Sequence, residues 1–152
     1  MLTIRLRPEV RETLTSACRR AGERETGGML FGEHLGIDDF AVIEATIAST
    51  GTVASFVRSL RATLGPLERF FARTNGEYRR FNYLGEWHSH PSFALVPSGT
   101  DDATMFELVE DPATNARFAV SMIVKLEKER LRAAAFVYFP GGARESCKVI
   151  DP

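Results

Sequence analysis

The chain has 152 residues, of which 44% are hydrophobic and 26% charged, with a formal net charge of −1 and a pI near 6.3. That length suits one domain with a real core over residues 1–152, and the composition is that of an ordinary globular chain. The charge balance leaves no basic footprint for nucleic acid or an anionic membrane surface.

Other classes fall away for local reasons. Residues 1–20 hold five arginines and two glutamates and no apolar run of signal-peptide type. The longest apolar run, Ala133–Phe139, is too short to cross a bilayer. Cys18 and Cys147 are far apart and form no C-x-x-C pair. A cytoplasmic chain with two ordinary thiols is expected, with neither membrane nor nucleic acid as partner.

In chain order, Leu2–Leu6 alternates as a short strand. Pro8 suits a first helical turn, and Val10, Leu14, Ala17, Cys18 and Ala21 give one apolar helical face ending near Gly22. Met29–Phe31 reads as a buried strand, and Phe40–Ala48 as its hairpin partner across Asp38-Asp39. The polar stretch 48–57 reads as a loop. Leu60, Leu64, Leu67, Phe70 and Phe71 predict a helix over 60–74, capped by Asn75-Gly76. A strand is expected over Phe81–Ser89, a loop over Ser92–Pro97 and a helix over Ser98–Asp111. Phe118–Leu126 and Leu131–Phe139 read as strands joined by a charged turn, with Pro140-Gly141-Gly142 ending the regular structure. Strands and helices mixed in this order predict a layered α/β or α+β domain with one sheet.

Chemistry concentrates in Gly85-Glu86-Trp87-His88-Ser89-His90-Pro91 and in Pro97-Ser98-Gly99-Thr100-Asp101-Asp102. On a strand, His88 and His90 share a face. Two imidazoles and the Asp101 carboxylate make a three-ligand site with one position left for water, as a catalytic zinc requires. The bland readings are two satisfied strand histidines, and a capping box in which Ser98 and Asp101 merely start a helix. The capping and ligand readings of Asp101 are compatible. A zinc hydrolase also needs a base, and Glu25 and Glu86 both qualify, since Glu86 shares the histidine face. His34 reads as structural or exposed. No H-E-x-x-H, deaminase P-C-x-x-C, G-x-S-x-G or Walker signature is present.

The spacing His88-Ser-His90-Pro91, six residues, then Ser98-x-x-Asp101 resembles the JAMM motif of the JAB1/MPN/Mov34 metalloproteases. The upstream Glu25-Thr-Gly-Gly-Met-Leu-Phe-Gly32 is similar to the segment that supplies that family's catalytic glutamate. The resemblance implies a cytidine-deaminase-like α/β domain, one mostly antiparallel mixed β-sheet flanked by α-helices. It implies one Zn²⁺ held by His88, His90 and Asp101, with Glu25 as base and Ser98 as oxyanion donor, and leaves Glu86 a bystander. The implied activity is isopeptide or peptide cleavage after the C-terminus of a ubiquitin-like modifier. Gly-Glu-Trp-His-Ser-His-Pro looks like the bacterial subgroup of antiphage (CBASS) deconjugating peptidases. That subgroup implies E1/E2-like conjugation proteins and a cGAS-like nucleotidyltransferase as partners. Two rival readings are an inactive MPN scaffold and a DNA-repair-associated JAB protein. The intact motif speaks against the first, and the missing basic patch against the second.

Overall fold

Alternation in Thr3–Leu6 buries Ile4 and Leu6 and starts strand β1 of a computed structural model that describes residues 1–48 and 65–151. Helix α1 (Pro8–Ala21) follows, with Pro8 in its first turn, where a missing N–H costs nothing. Glu9 near its N-terminus and Arg19 and Arg20 near its C-terminus complement the helix dipole. Its Val10, Leu14, Ala17 and Cys18 are buried on the sheet. Removing a side chain such as Leu14 from water is worth about 1.5–3 kcal/mol.

Among the described residues the other elements are β2 (Gly27–Gly36), β3 (Asp39–Ala45), α2 (Gly65–Arg73), β4 (Phe81–Ser89), α3 (Gly99–Glu110), β5 (Ala119–Glu127), β6 (Arg130–Phe139), β7 (Ala143–Ser146) and β8 (Lys148–Ile150). The strands form one sheet in the order β7-β6-β5-β4-β2-β3-β1-β8. Pairs β1/β3, β1/β8 and β4/β5 are parallel and the other four antiparallel. The fold is therefore mixed α/β with a mostly antiparallel sheet and helices against both faces, as expected.

Strand alternation sorts the core. Leu30, Trp87, Val120, Met122 and Val124 face α1. On the opposite face, Met29 and Phe31 pack on Phe70 of α2, while Ala119, Ile123, Phe136 and Tyr138 pack on Met105, Leu108 and Val109 of α3.

Two expectations are corrected. Regular structure does not end at Gly142, because β7 and β8 follow and pair with opposite edges of the sheet. Cys147, between them, donates its N–H to Ala135 O at 2.8 Å, and Lys148 donates to Leu2 O at 2.8 Å. The sheet curls until one short polar segment joins both edges. Its strand character comes from ladder bonds to β6 and β1, a long-range cause that leaves no local pattern. The second correction is of extent. The strand expected over 29–31 runs from Gly27 to Gly36, and the one expected over 40–48 stops at Ala45. The loop expected over 49–57, and residues 60–64 of the helix expected over 60–74, lie outside the described residues. That helix is seen as Gly65–Arg73, and Asn75 and Gly76 adopt positive φ beyond its end, as a glycine-type cap requires.

Strand β4 carries the irregularity that matters for function. Leu30 pairs with Gly85 but Phe31 with Tyr83, so Leu84 is an extra residue. This bulge reverses the alternation. Leu84 turns toward α1, and Glu86 and His88 then lie on the α2/α3 face with Tyr83. A Cβ on Gly85 would stand 1.9 Å from Val120 O, so only glycine lets β5 approach here.

Candidate metal centre and active site

His88 is the penultimate residue of β4, and His90 lies just past its end, where its N–H still donates to Val124 O at 2.9 Å. Pro91 ends the ladder and frees the chain to turn. Asp101 sits in the first turn of α3, oriented by a complete capping box. Ser98 Oγ accepts from Asp101 N at 3.1 Å, and Asp101 Oδ2 accepts from Ser98 N at 2.8 Å. The capping reading of this aspartate is met, and the same oxygen is the one that faces the two imidazoles.

The three predicted ligands converge. His88 Nε2 and His90 Nε2 are 3.0 Å apart, and each lies 3.3 Å from Asp101 Oδ2. All three residues are at most 7% exposed. Donors bound tetrahedrally at zinc distances of about 2.0–2.1 Å stand roughly 3.3 Å from one another, so this triangle suits such an ion. His90 Nδ1 lies 2.9 Å from Ala94 O. A carbonyl only accepts, so Nδ1 carries a proton, and the neutral form of this ring would present its Nε2 lone pair to a metal. His88, His90 and Asp101 form a cluster able to hold a metal.

Electrostatics reinforce the geometry. Burial would raise the Asp101 carboxyl, but hydrogen bonds with His88, His90 and the Ser98 N–H outweigh it and hold the group well below the usual carboxylate range. The Asp101 hydrogen bond raises His90, burial opposes it, and the Ala94 carbonyl and the Glu25 charge add to the rise.

Glu25 lies in the short segment between α1 and β2 and reaches this site through the β2–β4 ladder. Gly27 pairs with His88, so the same register carried two places back sets Glu25 opposite His90. Ser89, the middle residue of the H-x-H, braces that approach. Its N–H donates to Thr26 O at 2.8 Å, and Thr26 N–H donates to Ser89 Oγ at 3.0 Å. Gly28 is needed beside it, since a Cβ there would lie 2.1 Å from Thr46 O. Glu25, His90, Asp101 and Ser98 line one open cavity of about 370 Å³, bordered also by Phe93, Ala94, Val96 and Pro97.

The rival base is elsewhere. Glu86 is fully buried, its Oε1 accepts from Tyr83 Oη at 2.6 Å, and it does not line the cavity. Burial pushes its carboxyl up to about 8 against the lowering effect of the Tyr83 hydroxyl, and burial likewise raises Tyr83. His34 is exposed and stacks on Phe40. Missed from sequence was the Ser89–Thr26 brace, and within the expected Ser92–Val96 loop beside the site the exposed Phe93 and Val96 were not singled out. Two bulky apolar residues in an otherwise unremarkable loop were the available signal for the latter pair.

A family model described as prokaryotic homologs of the JAB domain matches residues 7–137. The chain belongs to this family. A relative from Enterobacter hormaechei subsp. hoffmannii (strain UCI 50), named CD-NTase/cGAS isopeptidase, is 34% identical over 107 residues, 69% of this chain. The match spans 57% of that relative's own length. Two solved structures share the JAB fold. The solution structure of protein DSY2949 from Desulfitobacterium hafniense aligns with a TM-score of 0.69 at 22% identity, covering 98% of this chain and 92% of that one. The crystal structure of AF2198, a JAB1/MPN domain protein from Archaeoglobus fulgidus, gives 0.50 at 17% identity, covering 98% and 97%. The described residues of this JAB chain contain no helix long and apolar enough to cross a membrane.

Proposed function

We propose that this JAB chain, as a single domain, is a zinc-dependent isopeptidase acting at the C-terminus of a ubiquitin-like modifier or a modifier-like protein tail. The observation that carries the reading is the meeting of His88 Nε2, His90 Nε2 and Asp101 Oδ2, beside a cavity that Glu25 and Ser98 also line. His88, His90 and Asp101 would hold Zn²⁺. Bound there, the ion would lower the pKa of a water and polarise the scissile carbonyl.

The chain's own residues supply the rest. Glu25 takes a proton from the attacking water and returns it to the leaving lysine amine as the isopeptide C–N bond breaks. Ser98 Oγ uses one lone pair to accept from Asp101 N, which leaves its hydroxyl hydrogen for the oxyanion. That bond strengthens as negative charge develops on the carbonyl oxygen. Phe93 and Val96 offer apolar contact to residues flanking the scissile bond and shelter it from water.

The name of the Enterobacter relative supports a conjugate of a CD-NTase/cGAS-like nucleotidyltransferase as substrate; in this reading its release from a target serves antiphage defence. E1/E2-like conjugation proteins would supply that conjugate, and a cytoplasmic setting suits both. The test is to incubate the purified, zinc-loaded chain with a nucleotidyltransferase joined through its C-terminus to a lysine side chain. One zinc per chain and cleavage at that bond are expected, both lost in His88→Ala. Wild-type protein that takes up no zinc would sink the proposal.

A further inference from the structure

Among the described residues, three buried side-chain polar atoms have no hydrogen-bond partner: Glu86 Oε2, His88 Nδ1 and Ser121 Oγ. They are neighbours on one face. Glu86 and His88 are two places apart on β4, and Ser121 of β5 is the register partner of Glu86. Glu86 and Ser121 are fully buried and His88 is 1% exposed. An isolated buried polar atom costs about 1–3 kcal/mol, so three side by side call for a shared purpose.

Their chemistry is complementary. His90 already fixes its tautomer through Ala94 O. His88 must likewise carry its proton on Nδ1 if Nε2 is to be a ligand, and that N–H then needs an acceptor. A serine hydroxyl both accepts and donates, and a carboxyl group accepts through an oxygen that does not carry its proton. The other carboxyl oxygen of Glu86 is anchored by Tyr83 Oη, which limits where Oε2 can lie.

We infer that Glu86, together with Ser121, is the outer partner of His88, receiving its Nδ1–H and holding the ring in the tautomer that presents Nε2 to the metal. Glu86 is thus a positioning residue and not the bystander that the motif alone makes of it. The bulge at Leu84 serves this arrangement, because it turns Tyr83, Glu86 and His88 to one side of the sheet. The inference rests on the zinc reading above.

Zinc affinity, measured by competition with a chromophoric chelator on wild type, Glu86→Gln and Ser121→Ala, tests it. Loss of an outer partner of this kind typically weakens binding 10–100-fold. That loss is expected for Glu86→Gln, with a smaller one for Ser121→Ala, which also serves if Glu86→Gln fails to fold. Nitrogen-15 spectra of the zinc form should show a slowly exchanging His88 Nδ1–H in wild type that exchanges faster in both variants. If wild type binds zinc and the variants that fold match it within twofold, with the ring N–H unchanged, the inference is overturned alone. If wild type binds none, the zinc reading falls and takes the inference with it.

Discussion

Asp101 does two things with one oxygen. Its Oδ2 receives the Ser98 N–H and also faces both imidazoles, so the bond that starts α3 aims the carboxylate at them. In the proposed mechanism Ser98 has a matching double task, which a single variant separates. Glycine at an N-cap costs only a few tenths of a kcal/mol relative to serine, whereas loss of an oxyanion donor costs about 10²–10³ in kcat. Ser98→Gly should therefore melt near the wild-type temperature yet cleave several hundred times more slowly, measured on the same preparation. An equal fall in stability and rate would make Ser98 a cap only. Glu25→Gln should retain zinc by metal analysis and lose at least about 10²-fold in rate. Wild-type turnover in that variant would remove Glu25 from the mechanism. Burial pushes the Cys18 thiol up to about 11, and burial with the Glu145 charge pushes Cys147 up to about 12. With almost no thiolate at neutral pH, both should react slowly with a disulfide reagent in native protein and rapidly once it is unfolded. Fast labelling of the native protein would contradict the burial seen here.

At the scale of elements, β4 is the organising strand. The motif His88-Ser89-His90 was legible as a candidate metal site because period-2 alternation puts both imidazoles on one side. Which side they take was not legible. It depends on the extra residue at Leu84, and the only local sign of that is Gly85. Gly85→Ala would drive a Cβ to 1.9 Å from Val120 O, so β5 must retreat or the bulge must move. A loss of about 3 kcal/mol in urea unfolding is expected, with weakened zinc binding because His88 moves with the strand. A loss below about 1 kcal/mol would mean the bulge is not held there. Likewise Ser98-x-x-Asp101 read correctly as a capping box, since both of its bonds lie within four residues.

For the whole molecule, closure of the sheet is the least local event. Ala143–Ile150 is polar and largely exposed, yet it spans from β6 to β1 and joins the two edges. The Arg11–Asp151 ion pair ties the same end to α1. Truncation after Pro140 should lower the thermal midpoint and open both edges to hydrogen exchange; unchanged protection in β1 and β6 would argue against closure. If zinc binds the folded chain and not the unfolded one, its removal by chelator should lower the midpoint as well, by mass action, and His88→Ala should abolish that response. The division between what sequence and structure each decided follows the range of the interactions. The sequence by itself determined the helical faces, the H-x-H strand, the cap and the residues expected to bind and act, because each is written within a few positions by side-chain periodicity and donor chemistry. Only the tertiary structure decided that Glu25 stands opposite His90, that Ser89 braces it, and that Glu86 is buried on the His88 face of the sheet. Those contacts join residues brought together by strand register, and register is set by the packing of the whole sheet.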